Sequence, residues 1–231
     1  DLASTDDSVI VPLTLDATTT GTLDPGTSTN FYAFDGTAGD HLFVDRAGTF
    51  GPVFRLYDIY GKEVAHETSD INTVLSSTGR YVLAVEGAYN ATSPTAYSFT
   101  AHKVVDQVTA ITVGSTVSGA FTQPGQTQSY TFTIPASGFY YFDSLANTNR
   151  ATWTLTGPHG VEASAIPFNG SDGGATSRNP VFNLFLTGVA EACDAVGANL
   201  VVVPDGDLGT GIQQTLQVVA ADESGTDHAD A

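Results

Sequence analysis

The sequence predicts an all-β protein built as two tandem antiparallel β-sandwich domains, and three observations carry that expectation. Apolar and polar residues alternate with period two, and no stretch of 11 or more residues shows a helical stripe. Short β-branched and aromatic runs are punctuated by Gly, Pro, Asn and Asp at roughly 8–12 residue intervals, the spacing of sandwich strands. The chain also repeats itself at an offset of 99 residues: Pro25-Gly26 as Pro124-Gly125, Phe31 as Tyr130, Gly39 as Gly138 and Phe43 as Phe142. At the same offset Phe54, Leu56, Gly61 and Glu63 recur as Trp153, Leu155, Gly160 and Glu162. That period is too long for a solenoid, so each copy should own a core.

In the first copy the strands expected are His41 to Asp45, Val53 to Tyr57, Tyr81 to Val85 and Tyr97 to Ala101, rich in residues that suit a pleated surface. The second copy offers Tyr130 to Ile134, Phe139 to Phe142, Trp153 to Leu155, Phe182 to Leu186, Leu200 to Val203 and Leu216 to Val219. Phe99 to Val105 reads as the last strand of copy one and Ala110 to Val117 as the first of copy two, joined by a short link at Asp106-Gln107. The expected domains are therefore 1–106 and 107–221, followed by a flexible acidic tail, 222–231. Copy two carries an excess of about 20 residues within Ala165 to Ala198, with Asn169-Gly170-Ser171-Asp172-Gly173-Gly174 read as a flexible loop. Trp153 stands at the core position of Phe54, whereas Tyr60 and Tyr89 fall in turns and should be exposed.

Composition narrows the function classes. The 231 residues carry 25 acidic against 7 basic side chains, a formal net charge of −18, and 19 of the acids are Asp. Such a field repels nucleic acid and anionic lipid, and no apolar run approaches the roughly 18 residues of a membrane span. A 41% hydrophobic content with 13 Phe and 9 Tyr argues against disorder. The lone Cys193 cannot form an intrachain disulfide and reads as a small hydrophobe. Thr, Ser, Gly and Asp in abundance, with two lysines and no Met, place the protein outside the cell, secreted or on the cell surface. A chain opening at Asp1 reads as a processed product or an excised fragment.

Catalytic signatures are not found. His41, His66, His102, His159 and His228 lack zinc-site spacing, and there is no Gly-x-Ser-x-Gly elbow or phosphate loop. The protein is expected not to be an enzyme and to require no cofactor. The strongest candidate beyond architecture is Asp205-Gly206-Asp207-Leu208-Gly209, where Asp205 and Asp207 offer oxygens on a backbone able to curl around calcium; an Asp/Gly hairpin is the plainer reading. Asp1, Asp6, Asp7 and Asp16 form a weaker cluster, and Asp24-Pro25-Gly26 reads as a β-turn.

Three segments of copy one resemble a known family. They are Asn30 to Val44 with its Ala38-Gly39-Asp40 turn, Leu56-Tyr57-Asp58-Ile59-Tyr60-Gly61 at a strand end, and Gly79-Arg80-Tyr81-Val82-Leu83-Ala84-Val85. In order and spacing these resemble the bacterial pre-peptidase C-terminal (PPC) domain family over most of residues 8–104. Copy two is similar but divergent: Tyr130-Thr131-Phe132 keeps the first motif, with a one-residue slip if Tyr32 and Phe34 are its aromatic pair in copy one, and Leu155-Thr156-Gly157-Pro158-His159-Gly160 lacks the Tyr-Asp pair. The resemblance implies a jelly-roll-like sandwich acting as an accessory module of larger secreted or surface proteins, a spacer or adhesive region. Its partners would be neighbouring domains or a surface glycan or protein, with calcium bound in some members. The acid often found before the aromatic strand is replaced by Asn30 here and, at the 99-residue offset, by Ser129.

Overall fold

A computed structural model describes residues 10–48, 51–134, 138–145, 150–157, 160–171, 184–186, 196–204 and 213–220. The chain forms two compact units, Asp1–Val105 and Asp106–Ala231.

The first unit has nine strands: β1 (Ile10–Pro12), β2 (Thr18–Leu23), β3 (Thr29–Gly36), β4 (His41–Arg46), β5 (Val53–Tyr57), β6 (Glu63–Glu67), β7 (Ile71–Val74), β8 (Gly79–Glu86) and β9 (Thr95–Val104). They form a five-stranded sheet, β1-β3-β8-β5-β6, and a four-stranded sheet, β2-β9-β4-β7. Every pairing is antiparallel except that of the short edge strand β1, which runs parallel to β3. Alternation decides the inner faces. Tyr32, Phe34, Phe54, Leu56, Tyr81, Leu83 and Val85 of one sheet bury against Leu23, Leu42, Val44, Ile71, Phe99 and Ala101 of the other. Phe99 receives Tyr32 and Phe54 edge-on at centroid distances of 5.4 and 5.3 Å, contacts that cross from sheet to sheet.

The second unit comprises β10 (Gln107–Ala110), β11 (Thr116–Ala120), β12 (Gln128–Ile134), β13 (Gly138–Ser144), β14 (Ala151–Gly157), β15 (Gly160–Pro167), the one-turn α1 (Phe168–Ser171), β16 (Leu184–Leu186), β17 (Val196–Pro204) and β18 (Gln213–Ala220). Its sheets run β10-β12-β17-β14-β15 and β11-β18-β13-β16, the first unit's order with nine added to every strand number. The parallel edge recurs as β10 on β12. Ala110 to Val117, expected as one strand, is instead two. β10 ends at Ala110 and β11 begins at Thr116 in the other sheet, with a turn through Gly114 (φ 89°) between them. Asp16 (φ 63°) makes the same left-handed turn in the first unit.

Strand pairing corrects the repeat. Asn30 pairs Val85 and Gln128 pairs Val202, so Asn30 corresponds to Gln128 and not to Ser129. Tyr130 is thus the partner of Tyr32, both buried, and not of Phe31. The offset is 98 residues here, and it still holds at Asp45 and Asp143, which pair Thr100 and Gln217. At β5 and β14 it is 99, because Phe54 also pairs Val85 and Trp153 also pairs Val202. At the hairpin that follows it is 98 again: Tyr57 pairs Glu63 and Thr156 pairs Val161, so Glu63 corresponds to Val161 and not to Glu162. One extra residue therefore lies between β13 and β14. The Pro-Gly match is a shifted coincidence. The turn bonds Ser28 N to Pro25 O and Gln126 N to Gln123 O, which are 98 apart; Gly26-Thr27 take its central positions in one unit and Pro124-Gly125 in the other. Gly125, at φ 72°, is where a type II turn places glycine. From Val85 to Val202 the offset is 117, so the inserted length is 18 residues. The expected flexible loop begins as α1, whose Phe168 is fully buried; residues 172–174 lie outside the described residues.

Two glycines separate packing from backbone strain. A Cβ on Gly87 would lie 1.8 Å from the Gly26 carbonyl oxygen, whereas one on Gly61 (φ 74°) would meet nothing within 4 Å. Gly61→Ala should cost about 1–2 kcal/mol through its left-handed backbone alone. Gly87→Ala should cost more, about 3 kcal/mol, because a backbone atom must move. Urea melts of the two variants check the order; equal losses would refute it.

Candidate functional site

The chemically densest surface among the described residues is the outer face of the β1-β3-β8-β5-β6 sheet. Because Phe54 and Leu56 point inward, Val53, Arg55 and Tyr57 face outward. Register sets Arg55 between Ala84 of β8 and His66 of β6, with Glu86 opposite Val53 and Glu63 opposite Tyr57. Arg55 Nε donates to Glu86 Oε2 at 2.7 Å, and Nη1 donates to Glu63 Oε2 at 2.9 Å and to His66 Nδ1 at 3.0 Å. Accepting at Nδ1 assigns the neutral His66 proton to Nε2. Glu86 first and Glu63 second push the Arg55 guanidinium pKa above its ordinary value. Burial, then the Glu63 charge, raises that of the Tyr57 phenol. Ala84, opposite Arg55 in the ladder, is itself buried.

This face is not duplicated. The register that aligns Phe54 with Trp153 and Val85 with Val202 puts Thr154 at the Arg55 position and Val203 at that of Glu86. Thr154 Oγ1 instead accepts from Ala165 N at 3.1 Å, with Ala165 at φ 52°. Sequence reasoning passed over Arg55. A lone cation between two inward apolar residues, in a chain with seven basic residues, was the available signal, but the register of its partners was not.

Other polar residues are held in local structure. Asp58 Oδ1 accepts from Tyr60 N and Lys62 N, both at 2.9 Å, which builds the turn expected from Leu56 to Gly61. Asp40 Oδ2 accepts from Thr37 N at 3.0 Å and faces Lys103 Nζ at 3.0 Å, an interaction that lowers its carboxyl pKa. Asn30 Nδ2 donates to Tyr97 Oη at 2.7 Å and to Thr22 O at 3.2 Å, a donor role no carboxylate can fill. Burial first, then the 2.6 Å hydrogen bond with Tyr97, raises the Tyr32 phenol pKa. His41 meets Asn72 at 2.6 Å and His102 meets Asp16 at 3.0 Å.

Asp205 and Asp207, the candidate calcium ligands, lie outside the described residues, as do Asp1, Asp6, Asp7, His159, Cys193 and His228. Among the described residues no three His, Cys, Asp or Glu side chains are grouped to hold a metal, and no helix is long and apolar enough to cross a membrane. Tyr60 and Tyr89 are 81% and 95% exposed. They belong to opposite ends of β8: Ile59 abuts Gly79 at its start, and Tyr89 follows its end at Glu86. Eight residues of strand separate those ends by roughly 25 Å, so the two rings form no common stacking platform.

No family model and no curated protein sequence matches the chain. Among solved structures it is similar to the periplasmic inhibitor of g-type lysozyme PliG from Aeromonas hydrophila, at 15% identity and TM-score 0.37, covering 41% of this chain and 95% of that one. PliG from Salmonella Typhimurium gives 17% and 0.33, covering 40% and 96%. The pre-peptidase C-terminal domain of a Bacillus anthracis collagenase gives 20% and 0.32, covering 40% and 93%.

The Arg55 pairs are solvent-accessible, with side-chain exposures of 27% for Arg55 and 40% for Glu86. An Arg55→Ala/Glu86→Ala double-mutant cycle should give a coupling of about 0.2–1 kcal/mol that shrinks in 1 M salt. Asp58→Ala, which orphans two turn N–H groups, should cost more, about 1.5–3 kcal/mol. Denaturant melts at two salt concentrations measure both. For Asp40 the folded pKa is depressed, so its stabilisation is present above the ordinary carboxylate range and is lost as pH falls through the folded value. Asp40→Asn should flatten the acid limb of the stability–pH curve, and an unchanged limb would refute the Lys103 pairing in solution.

Proposed function

We propose that the chain is a non-catalytic, extracellular tandem β-sandwich module of a larger secreted or surface bacterial protein, acting as a spacer, adhesive or accessory region beside neighbouring domains. The observation that carries this reading is the contrast between what is duplicated and what is not. Strand order, the parallel edge, the 98-residue turn bonds and the Phe54/Trp153 core position recur in both units. The polar cluster around Arg55 does not. A repeated scaffold with unrepeated surface chemistry suits a protein whose duplicated property is its shape. The acidic composition supports the extracellular placement.

The face around Arg55 favours a second reading, a glycan- or protein-binding module, because one sheet surface presents a cation, two carboxylates and Tyr57 within hydrogen-bonding reach of a ligand. A glycan array and a pull-down on the folded chain separate the two. Signal at background level, with folding confirmed by circular dichroism, is expected for a spacer. A ligand whose binding falls at least tenfold in Arg55→Ala would instead establish the binding module, and turnover abolished by a single substitution would overturn both.

Calcium at Asp205 and Asp207 is the accompanying proposal. A true site adds RT ln(1 + [L]/Kd), about 2.7 kcal/mol at 100 times Kd. The expected signature is a rise in Tm of several degrees with calcium that is lost in Asp205→Ala. An equal rise with sodium chloride at matched ionic strength would show relief of bulk repulsion instead.

A further inference from the structure

The loop joining β8 to β9 carries an Asn-x-Thr triplet, Asn90-Ala91-Thr92, on a surface turn. Ala91 N donates to Ala88 O at 3.0 Å, so Tyr89 and Asn90 are the two central residues of a β-turn. Asn90 and Thr92 are both exposed, and Tyr89 beside them is 95% exposed. The base of the loop is anchored. Gly87 N donates to Ser28 O at 3.0 Å, and a Cβ on Gly26 would lie 2.2 Å from Ser93 O, so the loop's flanks pack backbone to backbone on the β2–β3 turn. The turn thus projects from a fixed root, and among the described residues the Asn90 side-chain amide has no hydrogen-bond partner. From this geometry we infer that Asn90 is an acceptor for an N-linked glycan, with Thr92 as the required hydroxyl residue and the exposed ring of Tyr89 available to the apolar face of the first sugar.

The other asparagines serve as internal comparisons. Asn30 and Asn72 spend their amides on Tyr97 and His41, and neither is followed two residues later by Ser or Thr. Asn169-Gly170-Ser171 has the triplet but sits on the single turn of α1, beside the fully buried Phe168. A helical backbone must unwind before that triplet can enter a transferase, whereas the Asn90 turn need not. The transfer balances: Nδ2 of Asn90 attacks the anomeric carbon of a polyisoprenyl-pyrophosphate glycan, a C–N bond forms and the C–O bond to phosphate breaks. The Nδ2 proton passes to the transferase base, and polyisoprenyl pyrophosphate leaves.

The inference rests on the extracellular reading for its biological setting, so the test is independent of cellular location. Purified folded chain is incubated with an oligosaccharyltransferase that accepts Asn-x-Thr without a flanking acid and with a polyisoprenyl-pyrophosphate glycan donor. Intact mass and peptide mapping then locate the product. The expected result is one glycan per chain on Asn90, absent in Asn90→Gln and Thr92→Ala and retained in Asn169→Gln. Its Tm should stay within about a degree of the unmodified protein, because the Asn90 amide leaves no partner behind. An unmodified chain under conditions that glycosylate a control Asn-x-Thr peptide would overturn the inference and leave the extracellular reading untouched. Modification confined to Asn169 would overturn it equally.

Discussion

Phe99 is the point on which the first unit turns. It lies on β9, in the middle of the smaller sheet, and three rings converge on it: Tyr32 and Phe54 edge-on from the opposite sheet and Tyr97 stacked along its own strand. Arg46 closes the end of this stack, its guanidinium 5.2 Å from the Phe54 ring. Edge-to-face contacts hold ring distance and angle, so they determine how the two sheets face each other as well as how strongly they adhere. Once that facing is set, the outer surface of β5 is set too, and Arg55 can only point at Glu63, His66 and Glu86.

The second unit carries different residues at these positions. Register puts Leu216 at the position of Phe99 and the buried Trp153 at that of Phe54. A comparable exchange accompanies the side-chain amide, which is half-buried in Asn30 and buried in Gln128. In the first unit Asn30 reaches Tyr32 only through Tyr97. In the second, register places Gln214 where Tyr97 stood, and Gln128, one methylene longer than Asn, accepts directly from Tyr130 Oη at 2.9 Å. The carbonyl contact persists: Asn30 donates to Thr22 O and Gln128 to Ala120 O, at matching places in their strands. Buried polar groups must stay bonded, so the amide and its hydroxyl partner change together.

Several features were legible in the residues because they are local. Val53 to Tyr57 alternates so clearly that its bounds as a strand coincide with those of β5. Asp58 and Gly61 announce their turn, since one supplies the acceptor and the other the left-handed backbone. The Phe54 and Trp153 positions are both buried, and Tyr60 and Tyr89 are exposed, as strand and turn placement implied. Other features escaped. Ala110 to Val117 has the composition of one strand, but the turn at Gly114 sends its halves to different sheets. The Arg55 cluster gathers residues from three strands, and nothing in any one strand names its neighbours.

The amino-acid sequence by itself determined that this protein is β-structured, where most of its strands lie, which positions are core and that the pattern occurs twice. Those properties follow from side-chain alternation and turn chemistry, which act over a few neighbouring residues. Tertiary structure decided between the two alignments that the residues allow, the constant 99-residue offset and the one-residue slip that pairs Tyr32 with Tyr130. The 99-residue match seen in the sequence is correct at Phe54 and Trp153 but one residue out at Asn30, where Gln128 and not Ser129 is the counterpart. A shift of one residue exchanges the faces of a strand, and the ladder that forbids it is made with residues more than 40 positions away. Register is a long-range property, which is why the duplicated scaffold could be read from the chain and its surface chemistry could not.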